Sequence, residues 1–460
     1  MTTSRVLITF LAVLATAVPA AAQGPPFRRY LAEGATGPFF ATRLSLANPD
    51  GANPANVTLT FDSGRGTTRT LPLSLAPGGT AFIDVGAISG FESSDVSTTI
   101  ESDRLVVVDR MMEWGIDPAT GHGYGSSLET ATAATSTTWF LAEGSTVLGF
   151  DLYYLLQNPQ ATPANVTVRY LLPAGTVITR IYGMAPHSRT TIYVNVVPGI
   201  EETDVSGDIS ADVPIVVERA MYRNTPGQRY GLGTASIGVT APATRWFLAE
   251  GATGSFFDLF VLFANPGASD ANVTAEYAKE DGTVVTRSYV VGAHSRFSVY
   301  VDSIPGLTDT SVATTVTSTN NVPIVVERAM YWPDGFFNYY EGHTSVGTTG
   351  TAQRWVIASG DGDPTTQTFV LLANTENRPG QAELRFMTPS GFNASLRRVV
   401  NLPPNSRTTV ILDHMPPRYG VLVTSSGPSP VELVVENAVY RSFGGLLWAS
   451  GANAVATPLP

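Results

Sequence analysis

The sequence predicts an all-β protein built from four tandem immunoglobulin-like β-sandwich repeats. Three observations carry that expectation. First, one sequence pattern recurs at a fixed spacing. An apolar run ending in an acid reads Leu105-Val-Val-Val-Asp109, Ile215-Val-Val-Glu218, Ile324-Val-Val-Glu327 and Leu433-Val-Val-Glu436, and positions 109, 218, 327 and 436 are 109 residues apart. Second, each copy divides into short runs rich in Val, Ile, Thr, Tyr and Phe, separated by turn dipeptides. Third, no stretch of convincing helical length interrupts them.

The chain opens with one positive charge at Arg5, an apolar run over 6–18 and the small residues Ala20-Ala21-Ala22. That pattern reads as an export leader over 1–22, cleaved after Ala22, which places the protein outside the cell or at its surface. The copies follow at 28–133, 138–241, 245–350 and 354–460. Each begins with an aromatic-led strand, such as Trp139-Phe-Leu-Ala-Glu-Gly and Trp246-Phe-Leu-Ala-Glu-Gly. Fourteen residues after the Gly stands an Asn: Asn48, Asn158, Asn265 or Asn374.

The third copy reads as eight strands, near 246–249, 259–265, 272–279, 284–291, 297–301, 312–317, 324–331 and 339–346. Asp281-Gly282 is its strongest hairpin signal. About a hundred residues with this many strands match the size of an immunoglobulin-like sandwich. Splitting each copy into two four-stranded propeller blades is the alternative, but its two halves show no similarity. The joints at 130–138, 240–244 and 348–353 are short, and an elongated array of neighbours in contact is expected from them.

Composition narrows the function. Hydrophobic residues make up 43% and charged residues 14%, which supplies cores and excludes a broadly disordered chain. There is no cysteine, so each copy holds together without disulfides and no lipid-modified cysteine can anchor it. A formal charge of −11 argues against nucleic acid and anionic membrane surfaces as partners. Beyond the leader no apolar run is long enough to span a bilayer.

The opening Trp-Phe-Leu-Ala-Glu-Gly, the Asn-Pro with its following Ala-Asn-Val-Thr, and Val-Val-Glu-Arg-Ala-Met-Tyr at 216–222 and 325–331 together resemble a tandem repeat of secreted bacterial proteins. That repeat stands alone or is appended to cell-wall hydrolases or proteases. The resemblance covers essentially the whole chain after the leader. It implies a bacterial, extracellular, β-rich module with no established activity.

No metalloprotease, serine-hydrolase or phosphate-loop motif is present, and no catalytic residue, metal or cofactor is expected. Glu143 and Glu218 could be imagined as a carboxylate pair. The pair recurs as Glu250 and Glu327, and each acid has an Arg candidate, so a structural ion pair is the preferred reading. His187 and His294 share one repeat position without converging ligands, and Asp361-Gly-Asp363 lacks the remaining oxygens of a calcium loop. The Asn-Val-Thr triplets at Asn56, Asn165 and Asn272, and Asn393-Ala-Ser, match a glycosylation pattern but read as strand elements first.

Comparing the copies suggests which charges pair. The opening Glu (Glu33, Glu143, Glu250) becomes Ser359 in the fourth copy. The late Arg (Arg110, Arg219, Arg328) becomes Asn437 in the same copy. Stranding a charge in a packed sheet is costly, so partners should be lost together. The expected pairs are Glu33–Arg110, Glu143–Arg219 and Glu250–Arg328. By similar reasoning Arg189–Glu218, Arg296–Glu327 and Arg407–Glu436 form a second set.

The best binding candidate is the aromatic loop of the third copy, with Trp332, Phe336, Phe337, Tyr339 and Tyr340. Aromatic faces pack on sugar rings, although rings packed against a neighbouring repeat are the preferred reading. The sequence therefore points to a secreted, non-enzymatic structural or adhesive protein acting as a stiff spacer or interaction surface. Its partners would be surface proteins or cell-wall or environmental glycan. A carbohydrate-binding array is the first alternative, and a hydrolase with an unrecognised site is the second.

Overall fold

Alternation decides the strands. In Ala55–Ser63 the side chains of Ala55, Val57, Leu59 and Phe61 are buried, while Asn56, Thr58 and Thr60 between them are more exposed. That period of two is what a strand covering a core on one face requires. The computed structural model describes residues 27–64, 66–333, 335 and 338–460; the expected leader over 1–22 lies outside them.

The first copy has eight strands: β1 (Phe27–Leu31), β2 (Phe40–Ala47), β3 (Ala55–Ser63), β4 (Thr68–Leu75), β5 (Thr80–Asp84), β6 (Val96–Ser102), β7 (Val107–Trp114) and β8 (Gly125–Thr130). They form two antiparallel sheets in the orders β1-β6-β3-β4 and β5-β2-β7-β8. Between them lies a core that includes Leu44, Leu46, Leu59, Phe61, Ile100 and Val108. The third copy repeats both sheets, and the fourth adds the short strand Thr457–Pro458 to one of them. In the second, the counterparts of β6 and β7 merge into one strand, Ser206–Thr225, that belongs to both sheets. The chain is thus four tandem β-sandwiches, immunoglobulin-like in architecture.

Local chemistry explains the recurring sequence marks. The indole N–H groups of Trp139, Trp246 and Trp355 donate to the carbonyls of Ile215, Ile324 and Leu433 at 2.9, 2.9 and 3.1 Å, tying the opening strand to the late strand. Asn48 donates to the carbonyls of Asn53 and Ala76, and Asn158, Asn265 and Asn374 make the same two kinds of bond. Gly282, at φ +82°, turns the Asp281-Gly282 hairpin between Ala271–Lys279 and Val284–Val291. Gly78, His187, His294 and Asn405 share one repeat position, and all have φ between +45° and +63°. Backbone conformation accounts for what stands there.

The copies do not string out into the elongated array expected from the short joints. Strand β8 lies beside Gln228–Ile237 of the second copy and Leu446–Val455 of the fourth, and Glu341–Val346 of the third lies beside those same two strands. Four strands therefore surround one axis, and the first and last sandwiches touch. An apolar cluster lies at every junction. Trp114, Leu155 and Tyr222 join copies 1 and 2, and Ala142, Ala264 and Val325 join 2 and 3. Phe247, Trp332 and Tyr440 join 3 and 4, and Ala47, Val107, Val356 and Leu422 close the seam between 4 and 1. A joint's length limits reach but not direction. Each sandwich exposes apolar surface on two sides, and only closure buries all of it.

Candidate functional site

The counterparts of β7 bring the charged residues together, and they do so between copies. The late acid of each copy reaches back to the opening strand of the one before. Glu218 Oε1 accepts from the backbone N–H of Ala32 at 2.6 Å and of Glu33 at 3.1 Å. Glu327 Oε1 accepts from Ala142 at 2.7 Å and Glu436 Oε1 from Ala249 at 2.6 Å. At the closing seam Asp109 Oδ2 accepts from Ala358 N and Ser359 Oγ, both at 2.8 Å. The other oxygen of each Glu takes the late Arg of the preceding copy: Arg110–Glu218 at 2.6 Å, Arg219–Glu327 at 2.6 Å and Arg328–Glu436 at 3.2 Å. Neighbouring residues on a strand point opposite ways, so Glu218 faces the first copy while Arg219 faces the third.

Within copies, Glu33–Arg110 stands at 3.4 Å and Glu250–Arg328 at 3.0 Å. Glu143 and Arg219 make no side-chain ion pair; Arg219 donates to the Glu143 carbonyl at 2.9 Å instead. The second expected set is corrected throughout. Arg189 meets Asp95 at 3.2 Å rather than Glu218. Arg296 lies 3.6 Å from both Glu143 and Asp204 rather than beside Glu327, and Arg407 lies 3.6 Å from Glu280 rather than beside Glu436. Each of these Arg partners belongs to the preceding copy. Pairing had been sought inside each sandwich, and the ring places the neighbour closer.

The atypical residues of the first and last copies meet each other. Asn437 Nδ2 lies 3.5 Å from Ser359 O and Oγ, where Arg and Glu stand elsewhere, and Asp109 completes the group. The seam therefore removes one Glu–Arg pair and shortens the facing acid, all at once. A second alternation runs around the ring at Trp114, Arg223, Trp332 and Arg441. Trp114 and Trp332 donate their indole N–H to the carbonyls of Tyr230 and Trp448, at 2.6 and 2.7 Å. Arg223 donates to the Tyr339 carbonyl at 3.1 Å, and Arg441 pairs with Glu113 across the seam.

The aromatic loop is placed by these contacts. Trp332 is fully buried against Phe257, His343 and Tyr440. Tyr339 stacks on Tyr331 with ring centres 5.2 Å apart and donates to Asp258. Tyr340 donates to the Leu447 carbonyl at 2.6 Å. Trp332 and Tyr340 pack between the third and fourth copies, whereas Tyr339 packs at the junction of the second and third, beneath Arg223. Phe336 and Phe337 lie outside the described residues.

Burial dominates the electrostatics. It pushes Glu33 and Glu143 up to about 7 against the pull of Arg110 and Arg296. It pushes Glu129 up to about 8, helped by Glu218. Glu341 lies on the ring axis, fully buried and accepting from the N–H of Ser126, Gly233 and Gly342 at 3.2, 3.3 and 3.0 Å, one from each of three copies. Burial holds it well above the usual carboxylate range. Glu113 goes the other way: burial is outweighed by His122, Arg441 and Arg43, which hold it down to about 2.

Two junctions hold open space. Between copies 3 and 4 it is about 290 Å³, lined by Phe247, Glu276 and Asn374 among others. Between copies 2 and 3 lies a cavity of about 280 Å³ lined by Glu143, Asp204, Arg296, Phe150, Phe260 and Tyr331, among others. Among its lining residues, the sequence pattern singles out Glu143 and Arg296 as ion-pair members and Tyr339 as a binding candidate, but not the cavity itself. The copies did carry a signal: Gly149 stands where Phe39 and Phe256 stand in copies 1 and 3.

No family model matches the chain, and no curated protein matches it. Solved structures similar to it include the crystal structure of Thermotoga maritima 1070, at 12% identity over 23% of this chain and 96% of that one, with a TM-score of 0.22. The Anabaena sensory rhodopsin transducer is 20% identical over 18% of this chain and 95% of its own, with a TM-score of 0.17. A tetra-tandem repeat in the extending region of a large adhesion protein is 14% identical over 90% of this chain and 94% of its own, with a TM-score of 0.11.

Proposed function

We propose that this is an exported, non-enzymatic structural or adhesive protein whose four sandwiches form a closed, rigid platform for interaction. The observation that carries this reading is the use made of its acids. Glu218, Glu327, Glu436 and Asp109 each accept backbone N–H groups of a neighbouring sandwich. Catalysis by a carboxylate needs that group free to exchange a proton with a substrate, and these are committed to holding the ring. A ring with closed seams also resists bending, which suits a platform presenting loops in fixed directions, and it replaces the extended spacer as the mechanical reading. Binding of the purified chain to cells and cell-wall material of its source organism tests the proposal. Saturable binding without turnover of an ester and glycoside panel is the expected result. Turnover of any panel substrate, or no binding to any surface fraction, overturns it.

A further inference from the structure

We infer that the junction between copies 2 and 3 is a binding site for a small neutral polyol, one sugar ring in size. This goes beyond the platform reading and rests on the junction alone. At the 1–2 and 3–4 junctions an extra ring covers the aromatic stack. Phe39 packs edge-on to Tyr230 at 6.2 Å, and Phe256 packs edge-on to Trp448 at 5.6 Å. At the 2–3 junction the corresponding position is Gly149, where an added Cβ would meet nothing within 4 Å. The missing ring leaves the 280 Å³ space, near the lower end of the ~300–1,000 Å³ usual for ligand pockets.

The polar groups there select the ligand. Glu143 is only 4% exposed, yet its Oε2 makes no hydrogen bond; its nearest cation is Arg296 Nη2 at 3.6 Å. Arg296 Nε is likewise buried without an acceptor. An unfilled acceptor and an unfilled donor on adjacent side chains suit a hydroxyl, which donates and accepts at once. An ammonium ligand brings donors only and meets the Arg296 charge. A carboxylate ligand brings acceptors only and meets Glu143 and Asp204. Water satisfies the same atoms, but Leu148, Phe150, Phe260 and Leu262 line the remainder, and their surfaces call for a carbon skeleton. Asp204, at the rim and 42% exposed, is placed to accept from a second hydroxyl.

The test is calorimetric titration of the purified full chain with free monosaccharides, using methylammonium and acetate as charged controls. One saturable site per chain for at least one sugar is expected. Glu143→Gln should weaken it by about tenfold or more, the effect of losing a hydrogen bond to a charged group. Ser298→Trp, at the exposed cavity mouth where Ser298 Oγ accepts from Arg296 Nη2 at 3.0 Å, should abolish binding and lower the melting temperature no more than Thr191→Trp, which removes the same kind of bond to Arg189. Thr191→Trp, the same position at the 1–2 junction, should leave binding intact. No saturable sugar binding, tighter binding of either charged control, or sugar binding that survives Ser298→Trp overturns the inference. Because Ser298 is on the surface, that arm stands even if Glu143→Gln fails to fold.

Discussion

Replacing Arg110 with Met should destabilise the ring more than almost any other single change. The Arg110 guanidinium is fully buried and lies 2.6 Å from Glu218 and 3.4 Å from Glu33. Methionine keeps part of the volume and removes the charge, leaving two buried carboxylates facing each other. Breaking one partner out of a buried pair costs about 3–5 kcal/mol. The closing seam shows how nature builds the same junction without the cation, as Ser359, Asn437 and Asp109. The triple change Glu33→Ser, Arg110→Asn, Glu218→Asp transplants that set into the 1–2 junction. It should recover all but about 1–2 kcal/mol of the loss, because the Glu33 carboxyl leaves with the cation and the remaining acid keeps hydrogen-bond donors, as Asp109 does with Ala358 and Ser359. Urea denaturation of the three proteins at pH 7 is the assay. The sign of the pH dependence adds a check. Burial already raises Glu33 to about 7, and without Arg110 it rises further. A carboxylate raised in the folded state contributes stability that is full below its unfolded value and lost as pH rises through the folded one. The Arg110→Met deficit should therefore shrink between pH 7 and pH 4.5. A deficit under about 1 kcal/mol, or a triple variant no better than the single, refutes the reasoning.

Further outcomes follow from other junctions. Glu341→Gln should lie within about 1 kcal/mol of the native protein, since burial pushes Glu341 well above the usual carboxylate range and Gln keeps an acceptor for the same N–H groups. Glu341→Leu should cost several times more, because the N–H groups of Ser126, Gly233 and Gly342 lose their acceptor, at about 1–3 kcal/mol each; thermal unfolding of both variants decides. Glu129, raised to about 8, makes the native protein lose stability as pH climbs from about 4.5 to 8, and Glu129→Gln should flatten that slope in a melting-temperature series. Trp332→Ala should cost about 3–5 kcal/mol by denaturant titration, through a lost buried ring and its bond to the Trp448 carbonyl. Small-angle scattering should give a maximum dimension far short of four sandwiches laid end to end.

The sequence by itself determined the sandwich and its repetition. Strand position depends on period-two burial and turn chemistry, both local, so the eight strands expected for the third copy match those at 245–346 nearly residue for residue. It also determined that Ser359 and Asn437 belong together, because a buried charge cannot lose its partner alone. Which acid meets which arginine was decided only by the tertiary structure. Arg219 has Glu143 near it in its own copy and Glu327 in the next, and spacing along the chain does not rank them. Packing of the neighbouring copies ranks them, by setting Glu327 2.6 Å from Arg219 and Arg296 3.6 Å from Glu143. The same packing turned the aromatic loop into junction contacts and left a cavity where Gly149 stands in place of Phe, and closure set Glu341 on an axis no single repeat contains. Each of these depends on surfaces a hundred residues or more apart along the chain, brought together because the exposed apolar flank of each sandwich is buried against its neighbour.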